Sequence, residues 1–178
     1  MELILASTSP RRRELIKKIV NKFTVIKPVC DEVIDGSPYF IAKQNALLKG
    51  RSVKGDFVLA CDTIVALDNT IFGKPKNKDE AFSTLKKLSG KTHKVISGVY
   101  IRYKTIESIF TDTSYVTFKK LTDKDINNYI NRFNPYDKAG SYAIQDNMVV
   151  DKYEGSLDNI IGLPVERIIE ELNVIKPN

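Results

Sequence analysis

Apolar and polar positions alternate along this chain in two periods. Leu3–Ala6 is a short apolar run that predicts a buried strand, closed by Ser7-Thr8-Ser9-Pro10. That turn also opens a helix: Ser9 suits the N-cap, Pro10 fits the first helical position, and Leu15, Ile16, Ile19 and Val20 supply an apolar face. Phe23–Ile26 predicts a second strand and residues 39–48 a helix. Phe57 to Cys61 is unbroken apolar sequence, interrupted by Asp62-Thr63 and resumed from Ile64 to Leu67, as suits a strand covered on both faces. Residues 79–88 have helical spacing, with Ala81, Phe82, Leu85 and Leu88 on one side and Gly90 as the stop. Residues 95–103 and 109–118 alternate and are rich in β-branched and aromatic types, which predicts paired strands. Thr122 caps a helix running to about Phe133; extended pieces at 142–144 and 148–150 precede a final helix over 164–172. Strands alternating with helices predict an α/β fold with a mixed sheet.

The length of 178 residues predicts one domain over 1–178, and 42% apolar with 28% charged residues is enough to build a core. Lys plus Arg exceed Asp plus Glu by 28 − 22 = 6, a balance that favours an anionic partner, either a phosphorylated small molecule or a nucleic-acid backbone. Cys30 and Cys61 are too few for a disulfide framework and form no CxxC pair, so both read as buried free thiols in a reducing compartment. The N-terminus carries Glu2 where a signal peptide needs lysines, and no run approaches the roughly 20 apolar residues of a membrane span. The expectation is a soluble cytoplasmic protein with no membrane partner.

Four segments could carry chemistry. Arg11, Arg12 and Arg13 crowd the first turn of a predicted helix, where the helix dipole makes each cation unfavourable by roughly 0.3–1 kcal/mol. An anion bound by the free backbone N–H groups, the hydroxyls of Ser7 and its neighbours and a guanidinium fork would reverse that sign; a solvated basic turn is the plainer alternative. Asp62, beside Thr63 inside an apolar run, needs a donor, a cation or a proton, which a metal, a catalytic role or a turn cap would each supply. Asp31-Glu32 follows another short strand and offers a second carboxylate pair or an ordinary loop. Lys74, between Gly73 and Pro75, has a constrained backbone that suits a point charge on phosphate. In the stretch 137–145, Gln145 ends a short extended piece, where its amide can read a base edge.

Several common devices are missing. Gly90-Lys91-Thr92 lacks the upstream glycine of a phosphate loop, and neither GxGxxG after a strand nor GxSxG occurs. His93 is the sole histidine and reads as a polar residue at a strand start, which leaves no triad and no histidine-rich zinc site.

Taken in order, Leu5-Ala6-Ser7-Thr8-Ser9-Pro10-Arg11-Arg12, Cys61-Asp62-Thr63-Ile64-Val65, Gly73-Lys74-Pro75, Leu88-Ser89-Gly90-Lys91-Thr92-His93-Lys94-Val95, Asp137-Lys138-Ala139-Gly140 and Gly162-Leu163-Pro164 resemble the Maf family of nucleotide pyrophosphatases across nearly the whole chain. The resemblance implies an elongated α/β structure of two lobes around a central cleft, similar to the inosine triphosphate pyrophosphatase fold. It implies metal-dependent cleavage between the α and β phosphates of a nucleoside triphosphate, with Mg²⁺ or Mn²⁺, giving monophosphate and pyrophosphate. By the same resemblance Asp62 is the proton acceptor for the attacking water, and Glu32 with Asp62 contacts the metal. Ser7, Arg11, Arg12, Lys74 and Lys138 hold phosphates or position the substrate. Arg11, Thr63 and Gln145 match the subgroup resembling dTTP/UTP pyrophosphatases, whereas the group acting on 7-methyl-GTP differs there. Family analogy also suggests a homodimer.

Three departures stand out. Where the family's helix usually carries Lys-Ala, this chain reads Gln44-Asn45-Ala46, without that cation; where Gln-Gly is usual it reads Gln145-Asp146; and residues 35–40 form a shorter segment. Asn45 and Asp146 motivate a second reading, a nucleotide-binding regulator with weak or no hydrolysis. The net charge motivates a third, a nucleic-acid binder, which ranks last.

Overall fold

In a computed structural model, which describes residues 1–176, the elements are β1 (Leu3–Ala6), α1 (Pro10–Leu15), β2 (Phe23–Ile26), α2 (Pro38–Arg51), β3 (Phe57–Leu67), β4 (Thr70–Phe72), α3 (Lys78–Leu88), β5 (Thr92–Tyr103), β6 (Ile106–Phe118), α4 (Asp123–Phe133), β7 (Val150–Glu154), α5 (Leu157–Ile161) and α6 (Val165–Ile175). Among the described residues the strands form one mixed sheet in the order β2-β1-β3-β5-β6-β7, with β4 paired to β3. The α/β expectation holds. β1 runs parallel to β2 and to β3, with Leu5 opposite both Val25 and Leu59; β4 and β7 pair antiparallel with β3 and β6.

The chain divides into two compact units. The first comprises Met1–Thr63, Ile96–Thr113 and the residues from Ser156 onward. Its larger apolar cluster joins Leu3 and Leu5 of β1, Leu15 and Ile16 after Pro10, Phe57, Leu59 and Cys61 of β3, Val99 and Ile101 of β5, and Val165 and Ile168 of α6. The opposite sheet face is lined by smaller residues, Ala6, Val58 and Ala60, packed with Ala46, Val53 and Tyr100. Small residues are needed there because α2 lies almost directly on β5. A Cβ on Gly98 would sit 2.1 Å from the Ala42 carbonyl oxygen, and one on Gly50 would sit 1.9 Å from the Tyr100 ring. Two glycines therefore set the height of α2 above the sheet.

The second unit comprises Ile64–Val95 and Ser114–Gly155. Within it α3 packs on α4 and on the short 3₁₀ turn Ala139–Ser141. His93, Phe118 and Tyr142 meet edge to face, with ring centroids 4.8–5.3 Å apart. His93 stands at the start of β5, as expected, and is also a core residue: it is buried, and its Nε2 shares a hydrogen bond with Tyr142 Oη at 2.9 Å.

Several boundaries differ from expectation. β3 runs through Asp62 and Thr63 as one strand, which removes the turn-cap alternative for Asp62. Tyr142 and Ala143 are extended, but Ile144 opens a 3₁₀ turn, Ile144–Asp146, and the strand of this region is β7 at 150–154. β4 and α5, three and five residues long, are too short for periodicity to reveal.

Candidate active site

β1 stops at Ala6, where Pro10 and the Ser9 side chain start α1: Ser9 Oγ accepts from Arg12 N at 3.4 Å, as its N-cap position requires. With Leu59 registered on Leu5, β3 continues past the end of β1, so Asp62 and Thr63 stand level with the Ser7–Ser9 turn. The carboxyl ends of parallel strands are where open α/β sheets form ligand sites. Successive strand residues point to opposite faces. Cys61 and Thr63 therefore share one face, and Ala60 and Asp62 the face that α2 covers.

On the α1 side, one guanidinium is held at three points. Arg12 Nε donates to the Gly162 carbonyl at 2.9 Å, Nη2 to Thr63 Oγ1 at 3.1 Å and Nη1 to Ser7 Oγ at 3.5 Å. Gly162, at φ +132°, caps α5 with a backbone conformation that favours glycine, which aims its carbonyl at this spot. Thr63 Oγ1 also meets Ser97 Oγ at 2.9 Å and the Gly162 carbonyl at 3.3 Å. Arginine has five N–H donors, so two of them remain for an anion. Ser7 is buried, and Arg11 is half-buried one residue before Arg12.

On the α2 side sits a carboxylate pair. Lys49 Nζ lies 2.5 Å from Asp62 Oδ1 and 2.8 Å from Glu32 Oε1, and Asn45 Nδ2 lies 3.4 Å from Asp62 Oδ2. The side chains of Lys49 and Asp62 are 13% and 14% exposed. Burial opposes the charge on Lys49, but Asp62 and Glu32 outweigh it and hold the ammonium's pKa above its usual value. Asn45 and Lys49 are four residues apart and share a helix face. Cys30 is half-buried, not buried as expected; burial pushes its thiol up against the pull of Lys49, with Glu32, Asp31 and Asp62 adding to the rise.

The remaining predicted residues belong to the second unit. Gly140 N donates to the Gly73 carbonyl at 3.2 Å, which ties the 139–141 turn to Gly73-Lys74-Pro75. Lys74 is exposed, beside a hollow of about 260 Å³ that Ser83, Thr84 and Lys87 also line. Lys138 Nζ pairs with Asp137 Oδ1 at 2.7 Å. Gln145 is exposed. Its neighbour Asp146 accepts from the Tyr129 hydroxyl at 2.5 Å, and that hydroxyl accepts from Ala143 N at 3.0 Å.

Glu32 and Asp62 present hard oxygen donors to one point, now taken by the Lys49 cation. That donor set suits Mg²⁺ or Mn²⁺, which are commonly bound by one or two carboxylates together with substrate phosphates and water. Among the described residues no group of three or more His, Cys, Asp and Glu side chains converges.

A family model described as Maf-like protein matches residues 2–175. The chain belongs to the Maf-like family. Its relatives include a protein named dTTP/UTP pyrophosphatase from Thermosipho africanus, 45% identical over 94% of this chain and 90% of the relative. Proteins of the same name from Carboxydothermus hydrogenoformans and Bacillus cereus are each 40% identical, over 97% and 96% of this Maf-like chain and 97% and 94% of their own lengths. No described helix of this family member is long and apolar enough to cross a membrane.

Lys49, Ser97 and the Gly162 carbonyl were not among the residues that the sequence singled out for chemistry. The one available signal was the four-residue spacing of Asn45 and Lys49, which places a cation on the same helix face one turn beyond Asn45.

Proposed function

We propose that this Maf-like protein is a nucleoside triphosphate pyrophosphatase that hydrolyses the α–β phosphoanhydride of dTTP, UTP or modified pyrimidine nucleotides. The observation that carries the reading is likeness over 94–97% of the chain to relatives named dTTP/UTP pyrophosphatase, with Asp62 and Arg12 inside the residues that the family model matches.

Asp62 accepts a proton from water as the water oxygen forms a bond to the α phosphorus. The bond from that phosphorus to the bridging oxygen breaks, and pyrophosphate leaves with the electron pair. A positioned general base of this kind contributes about 10²–10⁴ in rate. Arg12, locked by Gly162, Thr63 and Ser7, offers its remaining donors to the triphosphate in a fixed orientation, so little side-chain freedom is lost on binding. Arg11 adds charge for phosphate beside Arg12, and the family resemblance alone assigns phosphate to Lys74 and Lys138 and the base to Gln145. Glu32 and Asp62 would hold a Mg²⁺ or Mn²⁺ ion, whose chemistry is to neutralise charge developing on the phosphoryl oxygens.

The test is a panel of nucleoside triphosphates incubated with purified protein and Mg²⁺ or Mn²⁺, with pyrophosphate as the readout. Release from dTTP and UTP above the purine triphosphates is expected. Tight binding with no release from any triphosphate would favour the regulator instead.

A further inference from the structure

We propose that Lys49 is a built-in counter-ion that competes with a divalent cation for Glu32 and Asp62, so that the site acquires its metal together with a polyphosphate instead of holding it beforehand. The inference rests on the pyrophosphatase reading only in naming the polyphosphate; the competition is a property of the chain itself.

Three observations carry it. The Lys49 ammonium lies within 2.8 Å of both carboxylates at the one point where their oxygens converge. Ligands of Mg²⁺ lie at 2.0–2.1 Å, so a shared metal would need much the same space, and two cations that close in a half-buried site repel strongly. The helix that carries Lys49 already lies as close to β5 as Gly98 and Gly50 allow, so α2 cannot settle further onto the sheet. The four-carbon stem of Lys49 is flexible, which makes the ammonium a displaceable charge.

Asn45 is neutral and its amide is fully engaged: Oδ1 accepts from Val33 N at 2.7 Å, and Nδ2 donates to the Val33 carbonyl at 3.1 Å. It holds the backbone next to Glu32 and leaves the positive charge to Lys49, one turn along. A polyphosphate offers that ammonium new anionic oxygens, so a metal–polyphosphate pair can take over the carboxylates where a bare metal cannot. Lys49 is on this account a positioning residue, acting through Glu32 and Asp62.

The test is Mn²⁺ affinity of nucleotide-free protein, followed by electron paramagnetic resonance of the free ion. Lys49→Met is expected to bind Mn²⁺ at least tenfold more tightly than wild type, Lys49→Arg to stay as weak as wild type, and Lys49→Met with Glu32→Gln to lose the gain. Lys49→Gln serves the same purpose as Lys49→Met should the latter fail to fold by circular dichroism. In the unmodified protein, added pyrophosphate is expected to tighten Mn²⁺ binding at least tenfold. Unchanged or weaker Mn²⁺ binding in a folded Lys49 variant, a gain that survives Glu32→Gln, or wild-type binding indifferent to pyrophosphate would each overturn the proposal. None of these readings depends on turnover, so an inactive enzyme with the expected Mn²⁺ behaviour would count against the pyrophosphatase reading alone.

Discussion

The side-chain amide of Asn45 grips the backbone of Val33 at both of its polar groups, accepting from the N–H at 2.7 Å and donating to the C=O at 3.1 Å. An amide mimics a strand neighbour here, and it fixes a segment in which Glu32 is otherwise half exposed. Asn45→Ala leaves both Val33 groups without their partner. The expected cost is about 1–3 kcal/mol, read from the urea midpoint. Turnover should fall as well, because Glu32 loses its backbone anchor.

Gly98 offers a test of how α2 is placed. The atom that a new Cβ would strike is backbone, not a flexible side-chain tip, so the helix itself must lift. Gly98→Ala should destabilise by about 1–3 kcal/mol or more, as overpacking does. It should also reduce activity beyond what the stability loss explains, since Asn45 and Lys49 ride on α2. Thermal melts and kcat on the same preparation check both.

Much of this was legible in the sequence, for identifiable reasons. A charge inside an apolar run is conspicuous, so Asp62 stood out, and a Ser-Pro pair before an apolar periodicity gave the start of α1. Lys49 did not stand out, because an isolated lysine near a helix end is ordinary; its meaning comes from a loop 17 residues earlier and a strand 13 residues later. Tyr142-Ala143-Ile144 has strand-forming composition, but Tyr129 Oη rather than a neighbouring strand satisfies Ala143 N. His93 looked polar, yet its ring packs between Phe118 and Tyr142.

That burial has a consequence in acid. Desolvation lowers the His93 pKa from 6.5 to about 4, so the folded state favours the neutral ring. The stabilisation is fully present above pH 6.5 and is lost as pH falls from there toward 4, because the unfolded chain takes up the proton first. Its size is about 3 kcal/mol. His93→Gln, which keeps a polar group for Tyr142, should flatten the pH dependence of stability across that window; an unchanged slope would show that other groups carry it.

The Asp146 carboxylate is taken by the Tyr129 hydroxyl. Asp146→Asn and Tyr129→Phe should therefore be coupled by about 1–3 kcal/mol in a double-mutant cycle of stability. The ratio of UTP to GTP turnover should change little in Asp146→Asn, since the carboxylate faces Tyr129.

Arg12→Lys keeps the charge but loses the fork that Gly162, Thr63 and Ser7 orient. KM for the preferred triphosphate should rise about tenfold to a hundredfold, matching roughly 1.5–3 kcal/mol of lost charge-assisted hydrogen bonding. Steady-state kinetics, with circular dichroism to confirm folding, would read it.

The most direct check of water attack at the α phosphorus is hydrolysis of dTTP or UTP in ¹⁸O-water, with products resolved by mass spectrometry. Wild-type protein should place one ¹⁸O in the nucleoside monophosphate and none in the pyrophosphate, and Asp62→Asn should slow the reaction by about 10²–10⁴. Label in the pyrophosphate, orthophosphate as the labelled product, or an Asp62→Asn variant as fast as wild type would contradict the mechanism.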